Sequence, residues 1–156
     1  MKVIVAAVGK PRNAELAAAI ERYEERAAKY WPLEIRVVKE ENARGASESQ
    51  IALVKEKEAE RLADRVEGAT VIACDERGTA MTSPGFASLL RDFRERARDV
   101  AFVIGGAYGL AESLREQAQT RLALAPWTLP HDLARLVLAE QLYRAGTIAR
   151  GEPYHK

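Results

Sequence analysis

Between Ala101 and Leu110 the sequence reads AFVIGGAYGL, so that Gly105, Gly106 and Gly109 follow directly on an unbroken apolar run. Glycines beyond the carboxyl end of a strand in an open α/β sheet let backbone N–H groups come close to a ligand. The spacing is not G-x-G-x-x-G, and no Lys-Ser or Lys-Thr follows it. Two readings therefore stand: a ligand-binding turn, or a tight strand-to-helix turn. Other reactive side chains are few. Two histidines 24 positions apart and one cysteine offer no metal-ligand spacing, so no metal is expected. There is no G-x-S-x-G elbow and no nucleophile with a base beside it. Cys74, ending an apolar strand, reads first as a small core residue and second as a nucleophile. The reactive group is expected to come from a bound cofactor.

The elements that must carry this turn alternate between strand and helix. Lys2 to Val8 is a strand, left through Gly9-Lys10-Pro11. Asn13 is a candidate N-cap for a helix with Leu16, Ala19, Ile20 and Tyr23 on one face, bounded by Pro32. Leu33 to Val38 is a second strand, and Lys39 to Ala46 a loop expected to be mobile and solvated. Ser47-Glu48-Ser49-Gln50 has capping-box spacing, with Ile51, Val54, Leu62 and Val66 on the buried face of its helix, which Gly68 ends. Ala69 to Cys74 is a third strand, closing on Asp75-Glu76-Arg77-Gly78. Ser83-Pro84 pairs an N-cap with Pro at the first helical position, and Phe86, Leu89, Leu90 and Phe93 line that helix.

The fourth strand, Ala101 to Ile104, lacks alternation, as a strand covered on both faces does, and is expected at the centre of the sheet. Leu110 to Ala118 is helix-compatible, and Arg121 to Ala125 reads as a short fifth strand, interrupted by Pro126 and stopped by Pro130. A long helix follows from His131 to about Ala149, then a tail. The expected fold is a mostly parallel α/β sheet with helices on both faces. In the last helix Leu133, Leu136, Val137, Leu138, Leu142 and Tyr143 cover more than one narrow stripe. The sheet on one side and a second copy on the other would bury so wide an arc, so a homodimer is expected.

Bulk properties are compatible and otherwise silent. A chain of 156 residues, 47% hydrophobic and 30% charged, fits one soluble globular domain. No apolar run approaches the roughly 20 residues of a membrane helix, so no membrane partner is expected. Met1 leads straight into a strand without a secretory-signal pattern, and a single cysteine suits a reducing compartment, so the expected location is the cytoplasm. A net charge of +1 neither announces nor excludes nucleic acid.

Several motifs coincide in order: Ile104-Gly105-Gly106 with Gly109 behind it, Thr128-Leu129-Pro130-His131 opening the long helix, Leu142-Tyr143-Arg144-Ala145, the end of the third strand, and the tail Pro153-Tyr154-His155-Lys156. Together they resemble the RlmH family of SPOUT-class RNA methyltransferases along the full length. The resemblance implies a single SPOUT domain over residues 1–156 with a C-terminal trefoil knot, residues from about 101 to 156 forming the knot and an S-adenosyl-L-methionine pocket. The implied activity is methyl transfer to N3 of a pseudouridine in large-subunit (23S) ribosomal RNA on assembled ribosomes, by a homodimer. Carried onto this chain, the cofactor contacts are Cys74, Gly105, Leu124, Ala125, Pro126, Trp127, Thr128 and Leu129. Backbone flanked by Pro126 and Pro130 cannot join a regular ladder throughout, which leaves polar groups free for adenine. Cys74 stands where many relatives carry Leu. Ala125-Pro126-Trp127 replaces a more usual Ser-Ala-Leu-like stretch, so a hydroxyl contact is lost and an indole must be accommodated.

With the methyl group supplied in electrophilic form, the protein has to align the reactants and favour the deprotonated imide. The candidates for this are His131, Glu140, Arg144, Tyr154 and His155. His131 is either a base or a helix-start residue that caps or packs. Glu140 and Arg144, spaced i,i+4, are either an ordinary ion pair or a pair that orients the base or a phosphate. The tail is either disordered, or offers Tyr154 for stacking and His155 and Lys156 for phosphate, and the resemblance places it at the substrate. From His131 to Lys156, Arg135, Arg144, Arg150 and Lys156 face Asp132, Glu140 and Glu152, a net of +1. One such surface holds RNA weakly; a composite of two subunits on an assembled ribosome compensates, and poor activity on free RNA is expected. A ribosome-associated factor without transfer activity and a generic nucleotide-binding enzyme are the rival readings.

Overall fold

The computed structural model describes residues 1–156. Five strands, β1 (Val3–Val8), β2 (Leu33–Val38), β3 (Thr70–Ala80), β4 (Val100–Ile104) and β5 (Thr120–Ala123), form one sheet in the order β2-β1-β4-β3-β5. Every pairing is parallel. β1 and β4 are buried at every position, as unalternating apolar runs require when both faces are covered. β4 is the middle strand.

Helices cover both faces. On one, α1 (Ala14–Ala28), α3 (Ser83–Glu95) and α5 (His131–Ala149) close over Val5, Phe102, Trp31, Leu90, Leu138 and Leu142. Phe102 is wholly buried, with the Phe86 ring 5.5 Å away; burying a side chain of this size contributes on the order of 1.5–3 kcal/mol. On the other face, α2 (Glu48–Arg65) and the short α4 (Glu112–Gln117) cover Ile4, Ala6, Val103, Leu62 and Leu114. α5 is held between its neighbours by a two-pronged Arg135 to Glu24 bond, 2.7 and 3.1 Å, and by the Trp31 indole N–H donating to the Leu142 carbonyl at 2.8 Å.

Asn13 and Ser47 cap α1 and α2 as their spacing predicts, the latter through a complete capping box. α3 differs by one residue: Thr82, not Ser83, is the N-cap, its hydroxyl accepting from the Gly85 N–H at 3.1 Å. β3 does not close at Asp75. It runs on to Ala80 through a register shift between Cys74 and Thr79. Gly78 makes this possible, since a Cβ there would fall 2.6 Å from the Arg121 carbonyl carbon. The Lys39–Ala46 loop is not free in solvent either. Arg61 donates to the Lys39 carbonyl at 2.8 Å, Glu58 accepts from the Glu41 N–H at 3.1 Å, and the Tyr108 hydroxyl donates to the Ala43 carbonyl at 3.3 Å. No helix is long and apolar enough to cross a membrane.

Candidate active site

The strand order sets the ends of β4, β3 and β5 side by side, and a cleft of about 670 Å³ opens where they stop. One wall is the glycine turn, Gly105 to Leu110; the floor is Cys74-Asp75-Glu76; the other wall is Leu124 to His131, apart from Pro126. Of the eight expected cofactor contacts, seven line this cleft and Pro126 does not.

Gly105 has a steric reason to lack a side chain. A Cβ there would lie 2.5 Å from the Gly109 carbonyl carbon and 2.7 Å from the Leu110 nitrogen, so the turn closes only over glycine. On the facing wall, no backbone N–H or C=O from Leu124 to Leu129 makes a backbone hydrogen bond. Such groups are satisfied by water or by a ligand. The wall is anchored instead through Thr128, whose hydroxyl donates to Glu76. Trp127 is accommodated by standing outward at the rim, 75% exposed.

Cys74 sits half-buried at the cleft floor, and desolvation pushes its thiol up to about 12. It is protonated at neutral pH and no nucleophile, which favours its reading as an apolar contact. Asp75 and Arg115, which the sequence reading did not single out, meet as a nearly buried ion pair at the floor. Burial opposes the Asp75 charge, but the Arg77 N–H at 3.0 Å and the Arg115 guanidinium outweigh it and hold this carboxyl below its usual range. The charged run after β3 was the only sequence signal for this pair; its partner on α4 is far along the chain.

The candidates around the substrate divide into two groups. His131 lines the cleft. It does not cap α5, whose N-cap is Pro130; its Nε2 instead lies 3.3 Å from Asp132, whose other oxygen accepts from the Arg12 N–H at 3.2 Å. Glu140, Arg144 and Tyr154 do not line the cleft of their own chain. They cluster further along α5, Arg144 donating to Glu140 at 2.5 and 3.0 Å and Tyr154 donating to the same oxygen at 3.1 Å.

The tail folds back on this cluster. The Tyr154 ring packs 4.5 Å from that of Tyr143 and beneath the Arg144 guanidinium at 4.8 Å, while Tyr30 donates to Glu152 at 2.5 Å. Desolvation, with hydrogen bonds to Tyr23 and Glu140, drives the Tyr154 phenol well above its ordinary range, and Glu140 raises Arg144 further. Both keep their protons, so Tyr154 and Arg144 donate and neither is a base. His155 is exposed and Lys156 ends the chain beside it.

The family described as "Predicted SPOUT methyltransferase" matches residues 1–155. The chain is 58% identical to "Ribosomal RNA large subunit methyltransferase H" of Gemmatimonas aurantiaca, over all of both chains. It is 46% identical, again over both full lengths, to the protein of the same name from an Anaeromyxobacter species. Among solved structures it resembles a probable methylase family protein from Haemophilus influenzae (TM-score 0.60, 14% identity, 99% of this chain and 70% of that one). It also resembles a probable methyltransferase from Bordetella pertussis (TM-score 0.59, 18% identity, 92% and 95%). At these identities the structural likenesses bear on the fold alone.

Proposed function

We infer the activity from one premise: this chain belongs to the SPOUT methyltransferase family. It is a methyltransferase, and S-adenosyl-L-methionine is the donor. Its substrate, in our reading, is large-subunit ribosomal RNA, the activity in the names of its relatives, and the acceptor is N3 of a pseudouridine on assembled ribosomes. The observation that supports the cofactor half of this reading is the pairing of an unbonded backbone run, Leu124 to Leu129, with a turn that closes only over Gly105; the substrate half rests on the names of its relatives.

The residues fit the cofactor. Gly105 lets the turn close so that backbone lines the cleft, the Leu124–Leu129 groups offer donors and acceptors to adenine, and Ile104, Leu124 and Leu129 supply apolar wall. When bound, the cofactor supplies an electrophilic methyl on a sulfonium. The protein then has to orient the base, exclude water and take one proton from N3. We assign that proton to His131, which lines the cleft and whose Nε2 lies 3.3 Å from Asp132. A positioned base of this kind contributes roughly 10²- to 10⁴-fold.

The protein acts as a homodimer in this account, with the C-terminal segment threaded as a trefoil. Leu133, Leu136, Val137, Glu140 and Arg144 lie along α5 neither fully buried nor fully exposed, a surface suited to a second copy. Glu140, Arg144, Tyr154 and His155 would then meet the substrate at the partner's cleft, with Arg144 and Tyr154 as donors to it. The test is transfer of labelled methyl to ribosomes lacking the modification, with free ribosomal RNA alongside and the product base identified by mass. Label on N3 of a pseudouridine, on ribosomes and hardly on free RNA, is expected. A protein that binds ribosomes but transfers no label to either substrate would be a ribosome-associated factor instead.

A further inference from the structure

Behind the glycine turn lies a carboxyl group that the reaction does not use. Glu58 of α2 is 4% exposed and does not line the cleft. One of its oxygens accepts from the Glu41 N–H at 3.1 Å. The other would be 2.9 Å from a Cβ on Gly106, a position from which Val8 Cγ1 would be 3.1 Å away. The carboxyl is thus wedged between Val8 at the end of β1, the Lys39–Ala46 loop and the glycine turn. Gly106 lines the cleft, so the turn has cofactor space before it and Glu58 behind it.

Of the groups around Glu58, only the Glu41 N–H and the Arg61 guanidinium favour a charge there, and both are outweighed. Glu40 and Glu41 of the loop are both acidic. Arg61, on its own helix, donates to Glu41 and to the Lys39 carbonyl, Lys57 approaches Glu41 at 3.9 Å, and Arg12, from the turn after β1, is paired with Glu40 at 2.6 Å. The glycine turn brings only Tyr108, whose hydroxyl is spent on the Ala43 carbonyl. Burial, with Glu40 adding to it, holds the Glu58 carboxyl above the ordinary carboxylate range. An ionised carboxylate in this place would draw in water or push its neighbours apart.

We propose that Glu58 is a positioning residue for the cofactor: its carboxyl braces Gly106 from behind and ties the Lys39–Ala46 loop to the glycine turn, so that turn and loop hold the cofactor-binding shape together. This rests on the cleft being the cofactor site. Because burial favours the protonated form, a rise in pH is expected to loosen the brace and to weaken binding through Gly106, with no direct contact between Glu58 and the ligand.

Calorimetric titration of the full-length protein with S-adenosylhomocysteine, from about pH 5 to about pH 9, tests this on wild type, Glu58→Gln and Glu58→Ala, with thermal unfolding recorded alongside. Glutamine keeps the acceptor for the Glu41 N–H and has no proton to lose. Wild type is expected to lose about tenfold in affinity as pH rises, a change of roughly one power of ten in Kd. Glu58→Gln stays within about twofold of the acid-side wild-type value throughout, and Glu58→Ala is about tenfold weaker at every pH, having left the Glu41 N–H unpaired. The ligand's own titration is common to all three proteins and drops out of the comparison. Wild-type affinity in Glu58→Ala, or an unchanged pH profile in Glu58→Gln, overturns the proposal. If Glu58→Ala does not fold, the comparison of wild type with Glu58→Gln decides. Absence of binding by wild type at any pH would instead sink the cofactor reading itself, and the brace with it.

Discussion

Replacing Gly105 by alanine adds one methyl group where the chain has no room for it. The new carbon would stand 2.5 Å from the Gly109 carbonyl carbon, against 3.4 Å for the nearest ordinary contact, so the turn must open by about 0.9 Å, the difference of the two. The neighbour is backbone and has no rotamer with which to yield. Overpacking of this kind costs about 1–3 kcal/mol, and in a chain of this length each kcal/mol lowers Tm by roughly 2–4 °C. The larger effect falls on the cleft, because a displacement near 1 Å at a positioning element can cost on the order of 10²-fold in rate. Gly146→Ala is the control. It drives a methyl into the Tyr30 ring against α5, away from the cleft, and should lower Tm with little change in affinity. Calorimetry with S-adenosylhomocysteine and thermal melts on both variants separate the two effects. Should Gly105→Ala bind the ligand as wild type does, or should Gly146→Ala lose affinity equally, the assignment of this turn to the cofactor is refuted.

Trp127 is 75% exposed at the cleft rim while Trp31 is 1% exposed, so acrylamide should quench only part of the tryptophan emission, and Trp127→Phe should abolish that part. Addition of S-adenosylhomocysteine is expected to protect it. The Cys74 thiol, raised from 9.0 to about 12 by desolvation, should resist iodoacetamide near pH 8 in the native protein and react once unfolded. Because the folded state holds this proton more tightly, the stabilisation is complete below about pH 9 and declines toward about pH 12; Cys74→Ala should flatten that stretch of an alkaline stability curve. Tyr154→Phe keeps the ring against Tyr143 but loses the bond to Glu140. A loss of about 1 kcal/mol in stability is expected, with affinity for S-adenosylhomocysteine unchanged and methylation reduced, measured by melts, calorimetry and label transfer.

Where the determinants are local, the sequence foretells the structure. The unalternating run before Gly105 is the central strand, Ser47 to Gln50 is a capping box, and the helix opened by His131 ends at Ala149. The misreadings come from contacts between distant residues. Gly78 looks like a turn glycine until Arg121 is seen lying against it, and only then does β3 run on past Asp75. Thr82 and Ser83 could each cap α3, and the hydroxyl that meets the Gly85 N–H decides between them. The charged loop after β2 reads as solvated because Glu58, Arg61 and Tyr108, which hold it, belong to other elements.

The site divides in the same way. The glycine turn is visible in the residues, whereas the wall from Leu124 to Leu129 came from the family resemblance, since nothing in its apolar composition announces unbonded backbone. Glu140 and Arg144 are an evident i,i+4 pair. That Tyr154 folds back to share the Glu140 oxygen depends on an aromatic cluster of Tyr23, Tyr30 and Tyr143 drawn from two helices and the turn between α1 and β2, which no local pattern encodes.

The most direct measurement is a crystal structure with S-adenosylhomocysteine bound. The adenosine is expected between Gly105 and the Leu124–Leu129 backbone, with those N–H and C=O groups bonded to adenine and Trp127 at the rim. Density for the ligand anywhere else, with that backbone still unbonded, would contradict it.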